Sequence, residues 1–272
     1  MTVEVLLSTY NGEAYLQEQL DSLVSQSCND FFVTIRDDGS SDATISIIEE
    51  YIFRYPELFF LSTADKGNLK AAGSFMALIR ASTAEYVMLC DQDDIWDPEK
   101  IEISLRKIKQ LEQEDASIPI LVFSDLRLMD NSGNVFCESF WEFQSLDCQV
   151  AKDWRKLLTL NVVTGCTVII NRMAISVSLP FALPEMLHDH WIAVNVSRYG
   201  KIGYIPSATI SYRQHSSNVE GAHRFSIRYV LRKSQNSLRI LNLLYKKSCY
   251  FNQVSFLTLC FYKVTLNFKR FF

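Results

Sequence analysis

The sequence predicts an α/β fold in which a mainly parallel sheet is flanked by helices and followed by a basic amphipathic tail. Three observations predict it. From Val3 to Cys90 short apolar runs alternate with amphipathic stretches, the pattern of βα units. Polar clusters recur at the carboxyl ends of the apolar runs, where an open parallel sheet gathers its ligand-binding loops. The charge is also divided. Residues 1 to 220 hold 17 basic and all 31 acidic residues, and the ten basic residues after Glu220 meet no acid at all.

Each element has its own signal. Val3 to Ser8 reads as the first strand, and Asn11-Gly12 turns the chain into a helix with Leu16, Leu20, Leu23 and Val24 on one face. Phe32 to Arg36 is the second strand, ending on Asp37-Asp38-Gly39-Ser40-Ser41-Asp42, before a helix carrying Ile45, Ile48 and Ile52. Leu58 to Leu61 makes a third strand, Ala71 to Ala81 a helix, and Tyr86 to Cys90 a fourth strand that stops at Asp91-Gln92-Asp93-Asp94. Asp97 and Pro98 suit the N-cap and first position of a helix reaching about Glu112. A hairpin over 121 to 136 turns at Asp130-Asn131-Ser132-Gly133. Beyond it come a helix near Asp153 to Leu160, a strand over Thr167 to Ile170 and a helix over Asp189 to Tyr199. Two short strands, Ile202 to Ile205 and Thr209 to Tyr212, complete the body.

Composition narrows the function classes. An apolar content of 48% in 272 residues supports a substantial core and excludes disorder or a disulfide mini-scaffold. Seven scattered cysteines without a CxxC pair suit reduced thiols, and the first residues lack the features of a secretory leader, so a cytoplasmic protein is expected. Neither GxGxxG nor GxxxxGK[ST] occurs, which removes the main support for dinucleotide-dehydrogenase and P-loop readings.

The polar clusters carry the chemistry. They are Thr9-Tyr10-Asn11, Asp37 to Asp42, Asp65 to Asn68 and Asp91 to Asp94. Asp91 and Asp93 are two residues apart, so an extended strand end would aim both carboxylates to one side. Converging carboxylates need a cation. Mg²⁺ or Mn²⁺ held by one or two of them and completed by a diphosphate meets that need. Asp189 stands at the start of a helix, where it can equally serve as an N-cap.

With those residues in hand, the chain resembles family 2 glycosyltransferases of the GT-A fold. The resemblance runs from Ser8-Thr9-Tyr10-Asn11-Gly12 through the Asp37 and Asp91 clusters to His188-Asp189-His190-Trp191 and Tyr212-Arg213-Gln214-His215, covering residues 1 to 221. Within the family, Asp91 to Trp96 and Tyr212 to Val219 most resemble bacterial rhamnosyltransferases of surface polysaccharide synthesis. The resemblance implies that Thr9, Asn11, Asp38 and Asp91 contact the nucleotide. Asp93 would hold the metal with His215 beside it, Arg213 and Gln214 would support that site, and Asp189 would be the catalytic base. Lys66 and Asn68 are donor-side candidates by position, and Trp96, Gly165 and Trp191 are candidates for the acceptor side. The implied reaction is an inverting transfer of rhamnose from dTDP-rhamnose to a lipid-linked saccharide, as in O-antigen or capsule assembly. The open alternatives are a UDP-hexose donor, a nucleotidyltransferase, and an inactive binding subunit.

The tail, residues 222 to 272, is expected to form a separate unit. Phe225, Tyr229, Leu231, Leu238, Leu241 and Leu244 interleave with Arg and Lys, and the apolar stretch from Cys249 to Tyr262 is too short to span a bilayer. An amphipathic segment lying on the anionic inner face of the cell membrane fits that pattern. The alternative is a helical lid on the body. Nucleic acid is not expected as a partner, because no nucleic-acid motif accompanies the charge.

Overall fold

A computed structural model describes residues 3–63, 67–215, 224–225 and 237–271. Its strands are β1 (Val3–Thr9), β2 (Phe31–Asp37), β3 (Phe59–Leu61), β4 (Tyr86–Cys90), β5 (Ile95–Trp96), β6 (Ile120–Met129), β7 (Val135–Cys137), β8 (Ile169–Asn171) and β9 (Lys201–Arg213). They form one sheet in the order β3-β2-β1-β4-β8-β6-β9-β5, with β7 paired to β6. The pairs β1/β2, β2/β3 and β1/β4 are parallel, so chain order reverses across β1 and β4 and leaves a crevice beyond their carboxyl ends. β8 runs antiparallel to both β4 and β6, which makes the sheet mixed.

Both faces are covered. Val3, Val5 and Leu7 of β1 point to a core shared with α1 (Leu16–Val24), α2 (Thr44–Arg54) and α4 (Lys100–Glu112). Leu6, with Val87 and Leu89 of β4, points to the other core, built with α3 (Lys70–Ala81) and α8 (His188–Tyr199). That two-sided burial explains why β1 is apolar on both faces from Val5 to Leu7, with the enclosed Glu4 accepting from Thr34 and Ser82. Shorter helices, α5 (Phe140–Gln144), α6 (Trp154–Leu157) and α7 (Arg172–Ser178), fill the second half.

Several elements differ from the sequence expectation for local reasons. Ile95–Trp96 pairs with β9, and the Asp97 side chain is drawn to Arg127, so α4 starts at Lys100 rather than at Pro98. The two short strands expected over 202–212 are one strand, because β6 pairs along its whole length and absorbs the break through register shifts near Asp125. Asp153 does cap α6, accepting from the Arg155 N–H, yet that helix lasts a single turn. At the C-terminal end of α8, Gly200 is required by crowding: a Cβ there would stand 1.8 Å from the Pro119 carbonyl oxygen.

The tail contains α9 (Ser237–Tyr250) and α10 (Phe256–Lys269), the latter capped by Ser255, which accepts from the Thr258 N–H. Helix is expected over 224–247, and residues 226–236 of that span lie outside the described residues. Leu244, Phe251, Val254 and Leu259 are buried in the same core as Trp154 and Trp191. The inner face of both helices is therefore taken by the body, and only the outer face, with Leu238, Leu257, Phe261, Val264 and Phe268, stays exposed. No helix among the described residues is long and apolar enough to cross a membrane.

Candidate active site

The ends of β1 and β2 are tied together by their own polar residues. Thr9, fully enclosed, donates its hydroxyl to Asp37 Oδ1 at 2.9 Å. Asp37 Oδ2 accepts the backbone N–H groups of Gly39 and Ser40, which folds the loop back on itself. Asn11 bridges to that loop twice: its N–H donates to Ser40 Oγ, and its side-chain oxygen accepts the Ser41 N–H, both at 2.8 Å. Asn11 has a φ of +46°, a left-handed conformation that asparagine tolerates better than most residues.

Asp38 is enclosed rather than presented to the crevice. Its carboxylate accepts from the Arg36 guanidinium at 2.5 Å and from the Leu69 and Lys70 N–H groups at 2.7 Å each. A buried guanidinium requires a counter-charge, and Asp38 supplies it while fixing the start of α3. Asn68 Oδ1 also accepts from Lys70 N–H, and Lys66 lies outside the described residues.

The 91–94 loop beyond β4 is fastened to β1 by a residue that the sequence reading left without a role. Gln92 accepts the Tyr10 N–H at 2.8 Å and donates to the Tyr10 carbonyl at 3.1 Å. Gly12 leaves the space, since a Cβ there would meet the Gln92 amide at 2.3 Å. With Gln92 turned toward β1, Asp93 meets His215 beyond the end of β9, Oδ2 to Nε2, at 2.7 Å. Arg213 holds this junction: its Nε donates to the Asp93 carbonyl, its terminal nitrogen pairs with Glu18 at 2.7 Å, and its guanidinium lies over the Tyr15 ring. Gln214 is anchored through its N–H on the Met129 carbonyl.

Electrostatics mark this crevice. Asp91 is pushed up to about 7 by burial and then by the charges of Asp93 and Asp189, which puts the three carboxylates within electrostatic reach of one another. Asp94 is raised well above the usual carboxylate range by burial and then by the charges of Asp93 and Asp91, and its Oδ2 is buried without a hydrogen-bond partner. A divalent cation suits such a place. Asp93 Oδ2 and His215 Nε2, 2.7 Å apart, offer one oxygen and one nitrogen side by side, and carboxylate with imidazole fits Mn²⁺, or Mg²⁺ completed by phosphate oxygens. Asp91, Asp94 and Cys166 also cluster, with ligand atoms within 4.8 Å. Burial drives the Cys166 thiol well above its usual range, and the protonated thiol donates a hydrogen bond to Asp91.

Asp189 lies in the first turn of α8. Its Oδ1 accepts the His190 N–H at 2.6 Å, and its Oδ2 accepts from Asn161 Nδ2 at 3.2 Å, a partner that no sequence spacing announces. Gly165 backs this turn: a Cβ would stand 3.1 Å from His188 Nε2 and 3.4 Å from Asp189 Cβ. His188 stacks on Phe75 with centroids 4.4 Å apart, and His190 bonds the Leu157 carbonyl, so the two rings engage different partners.

Two acceptor-side expectations are corrected. Trp96 is 2% exposed, with Lys100 Nζ over its ring at 4.6 Å, and it packs inside the core beneath β9. Trp191, also 2% exposed, donates from its indole to the Ser178 carbonyl and packs on Phe181, Tyr250 and Phe251. Each faces away from solvent because its helix or strand turns that position inward, so neither forms a wall for an acceptor.

A family model described as glycosyl transferase family 2 matches residues 4–177, the span that contains the β1, β2 and 91–94 loops. The chain belongs to that family. An uncharacterised protein of Mycobacterium tuberculosis is 28% identical over 219 residues, covering 80% of this chain, which spans 60% of that relative's length. The dTDP-rhamnosyl transferase RfbG of Shigella flexneri is 27% identical over 229 residues, with coverage of 80% and 74%. Among solved structures, Staphylococcus aureus TarS 1-349 in complex with UDP aligns with a TM-score of 0.58 at 20% identity, covering 78% of this chain and 60% of its own. The mannosyltransferase PcManGT of Pyrobaculum calidifontis, in complex with GDP-Man and Mn²⁺, aligns with a TM-score of 0.59 at 17% identity, covering 88% and 63%. At these identities the likeness fixes the GT-A fold, with its mixed sheet flanked by helices.

Proposed function

We propose that this family 2 glycosyltransferase is an inverting enzyme that transfers rhamnose from dTDP-rhamnose to a lipid-linked saccharide at a membrane surface. The observation that carries the reading is the meeting of Asp91, Asp93 and Asp189, contributed by the 91–94 loop and by α8, with His215 closing on Asp93 from just beyond β9. The rhamnosyl donor is supported by the likeness to RfbG over 80% of this chain.

In the reaction, the acceptor hydroxyl attacks the anomeric carbon as the bond to the diphosphate oxygen breaks. Asp189 accepts the hydroxyl proton, and its two hydrogen bonds keep the carboxylate aimed while it does so. Asp93 and His215 would hold a divalent cation, which when bound neutralises charge on the departing nucleoside diphosphate. Thr9, Asn11 and Asp38 shape the nucleotide side through the loops they fasten. The outer face of α9 and α10, apolar with Lys and Arg around it and no acid after Glu220, is the surface for an anionic inner leaflet.

Thermal shifts with UDP, dTDP, GDP and CDP, each with and without Mn²⁺ or Mg²⁺, test the donor site without an acceptor. A metal-dependent shift largest for dTDP, and lost in Asp93→Ala, is expected. A larger shift with UDP would replace the sugar donor, and no shift from folded protein with any nucleotide would overturn the reading.

A further inference from the structure

Three consecutive carbonyls at the end of α6 are each taken by a side chain from a different helix. The Leu157 oxygen accepts from His190 Nε2 of α8 at 2.8 Å, the Leu158 oxygen from Lys247 Nζ of α9 at 2.6 Å, and the Thr159 oxygen from Lys263 Nζ of α10 at 2.7 Å. A helix leaves its last carbonyls without intrahelical donors, and cationic side chains are favoured there. α6 is a single turn whose Trp154 and Leu157, with Leu158 just after them, are buried in the core, and these three bonds take up the carbonyls at its end. Since a carbonyl only accepts, His190 carries its proton on Nε2.

Lys247 is 4% exposed, an unfavourable place for an ammonium group, and among the described residues no carboxylate forms an ion pair with it. Packing alone would be met as well by methionine. What lysine adds is the hydrogen bond to the Leu158 carbonyl.

That bond matters three residues further on, at Asn161. Asn161 Oδ1 accepts the Val163 N–H at 3.1 Å, which turns the amide so that Nδ2 faces α8 and donates to Asp189 Oδ2. The other Asp189 oxygen is held by the N–H of His190, whose ring returns to the Leu157 carbonyl. The carboxylate is therefore suspended between α8 and the 157–163 segment, and that segment is gripped from behind by α9 and α10.

We propose that Lys247 and Lys263 are positioning residues: the two C-terminal helices clamp the 157–161 segment and, through Asn161, set the Asp189 carboxylate for transfer. The inference rests on Asp189 being the base of the reaction above. It gives the inner face of the tail a part in turnover that is separate from any lipid contact of its outer face.

The test uses the full chain with Lys247→Met, Lys263→Met, Lys263→Arg and Asn161→Ala. Hydrogen exchange is followed in peptides covering residues 187–196, and turnover is followed as nucleoside diphosphate released from dTDP-rhamnose and UDP-sugars into water. Both methionine variants and Asn161→Ala are expected to exchange faster in that region and to lose about tenfold to a hundredfold in kcat, with KM for the donor and the nucleotide thermal shift unchanged. Lys263→Arg, which still donates, should restore both. Lys247→Met should melt no lower than the parent. Unchanged exchange in both methionine variants would overturn the clamp, and so would a parallel loss of kcat, donor binding and Tm. If the unmodified protein releases nothing from any nucleotide sugar, the reaction assignment fails, and the exchange measurement alone decides whether the clamp exists.

Discussion

The wall of the crevice built on β1, β2 and β4 differs from the wall around Asp189 in what holds it. On the first, loops at the ends of neighbouring parallel strands bind one another directly: Thr9 to Asp37, Asn11 to Ser40 and Ser41, Gln92 to Tyr10. On the second, Asp189 depends on Asn161, and the segment carrying Asn161 depends on lysines 89 and 104 positions away in the chain. The first wall is thus fixed by the sheet, whereas the second is assembled from helices that must all dock first. Parts of a site held by packed helices are exposed to damage at a distance, and parts held by strand ends are not.

The largest effect that separates the walls is chemical. Asp189→Asn keeps the size of the side chain and one of its two accepting oxygens but cannot take a proton, so kcat should fall by ~10²–10⁴. Nucleotide thermal shifts should persist, because the nucleotide wall is untouched. Near-normal turnover would remove Asp189 from the mechanism.

Next in size is the shared core. Trp191→Ala removes an indole packed between Phe181, Tyr250 and Phe251 and leaves the Ser178 carbonyl without its donor, at a cost of about 3–5 kcal/mol in urea unfolding. A change confined to acceptor KM, with stability intact, would instead restore Trp191 to the acceptor side.

The smallest effect is a pH dependence whose sign differs between the walls. Burial holds His188 at about 4, and burial with the charges of Lys247 and Lys263 holds His190 well below its usual value. Below about pH 6.5 the unfolded chain takes up protons that these folded rings refuse, so their contribution to stability falls as pH drops from there toward 4. Asp91 works the other way. Its folded pKa of about 7 lies above the unfolded value, so between pH 7 and 4 it is the folded chain that takes the extra proton and gains stability. His188→Gln should therefore lose less of its urea midpoint between pH 7 and 5 than the parent does, and an equal loss in both would refute the assignment.

The same contrast governs what could be read from the chain. The β1, β2 and β4 strands and their polar ends are contiguous stretches whose local pattern states both element and position, so the crevice was legible together with Asp91 and Asp93. Asp93 and His215 are distant in sequence, and their pairing required the family resemblance to be anticipated. Asn161, Lys247 and Lys263 had no local signal, since an isolated Asn or Lys in a helical stretch looks like any solvated residue. Trp96 and Trp191 misled for a related reason. Adjacency in sequence to a functional motif says little about direction when successive residues alternate sides in a strand, as at Trp96, or turn by about 100° in a helix, as at Trp191.

One consequence concerns how a better-behaved form of this protein could be made. Leu257, Phe261, Val264 and Phe268 lie on the outside of α10, whereas Leu259 and Lys263 of the same helix point inward. Deleting the helix to gain solubility would discard both sides at once. Exchanging the outer four for polar residues leaves the inner side whole, so the greasy surface and the working interior of one helix can be edited independently.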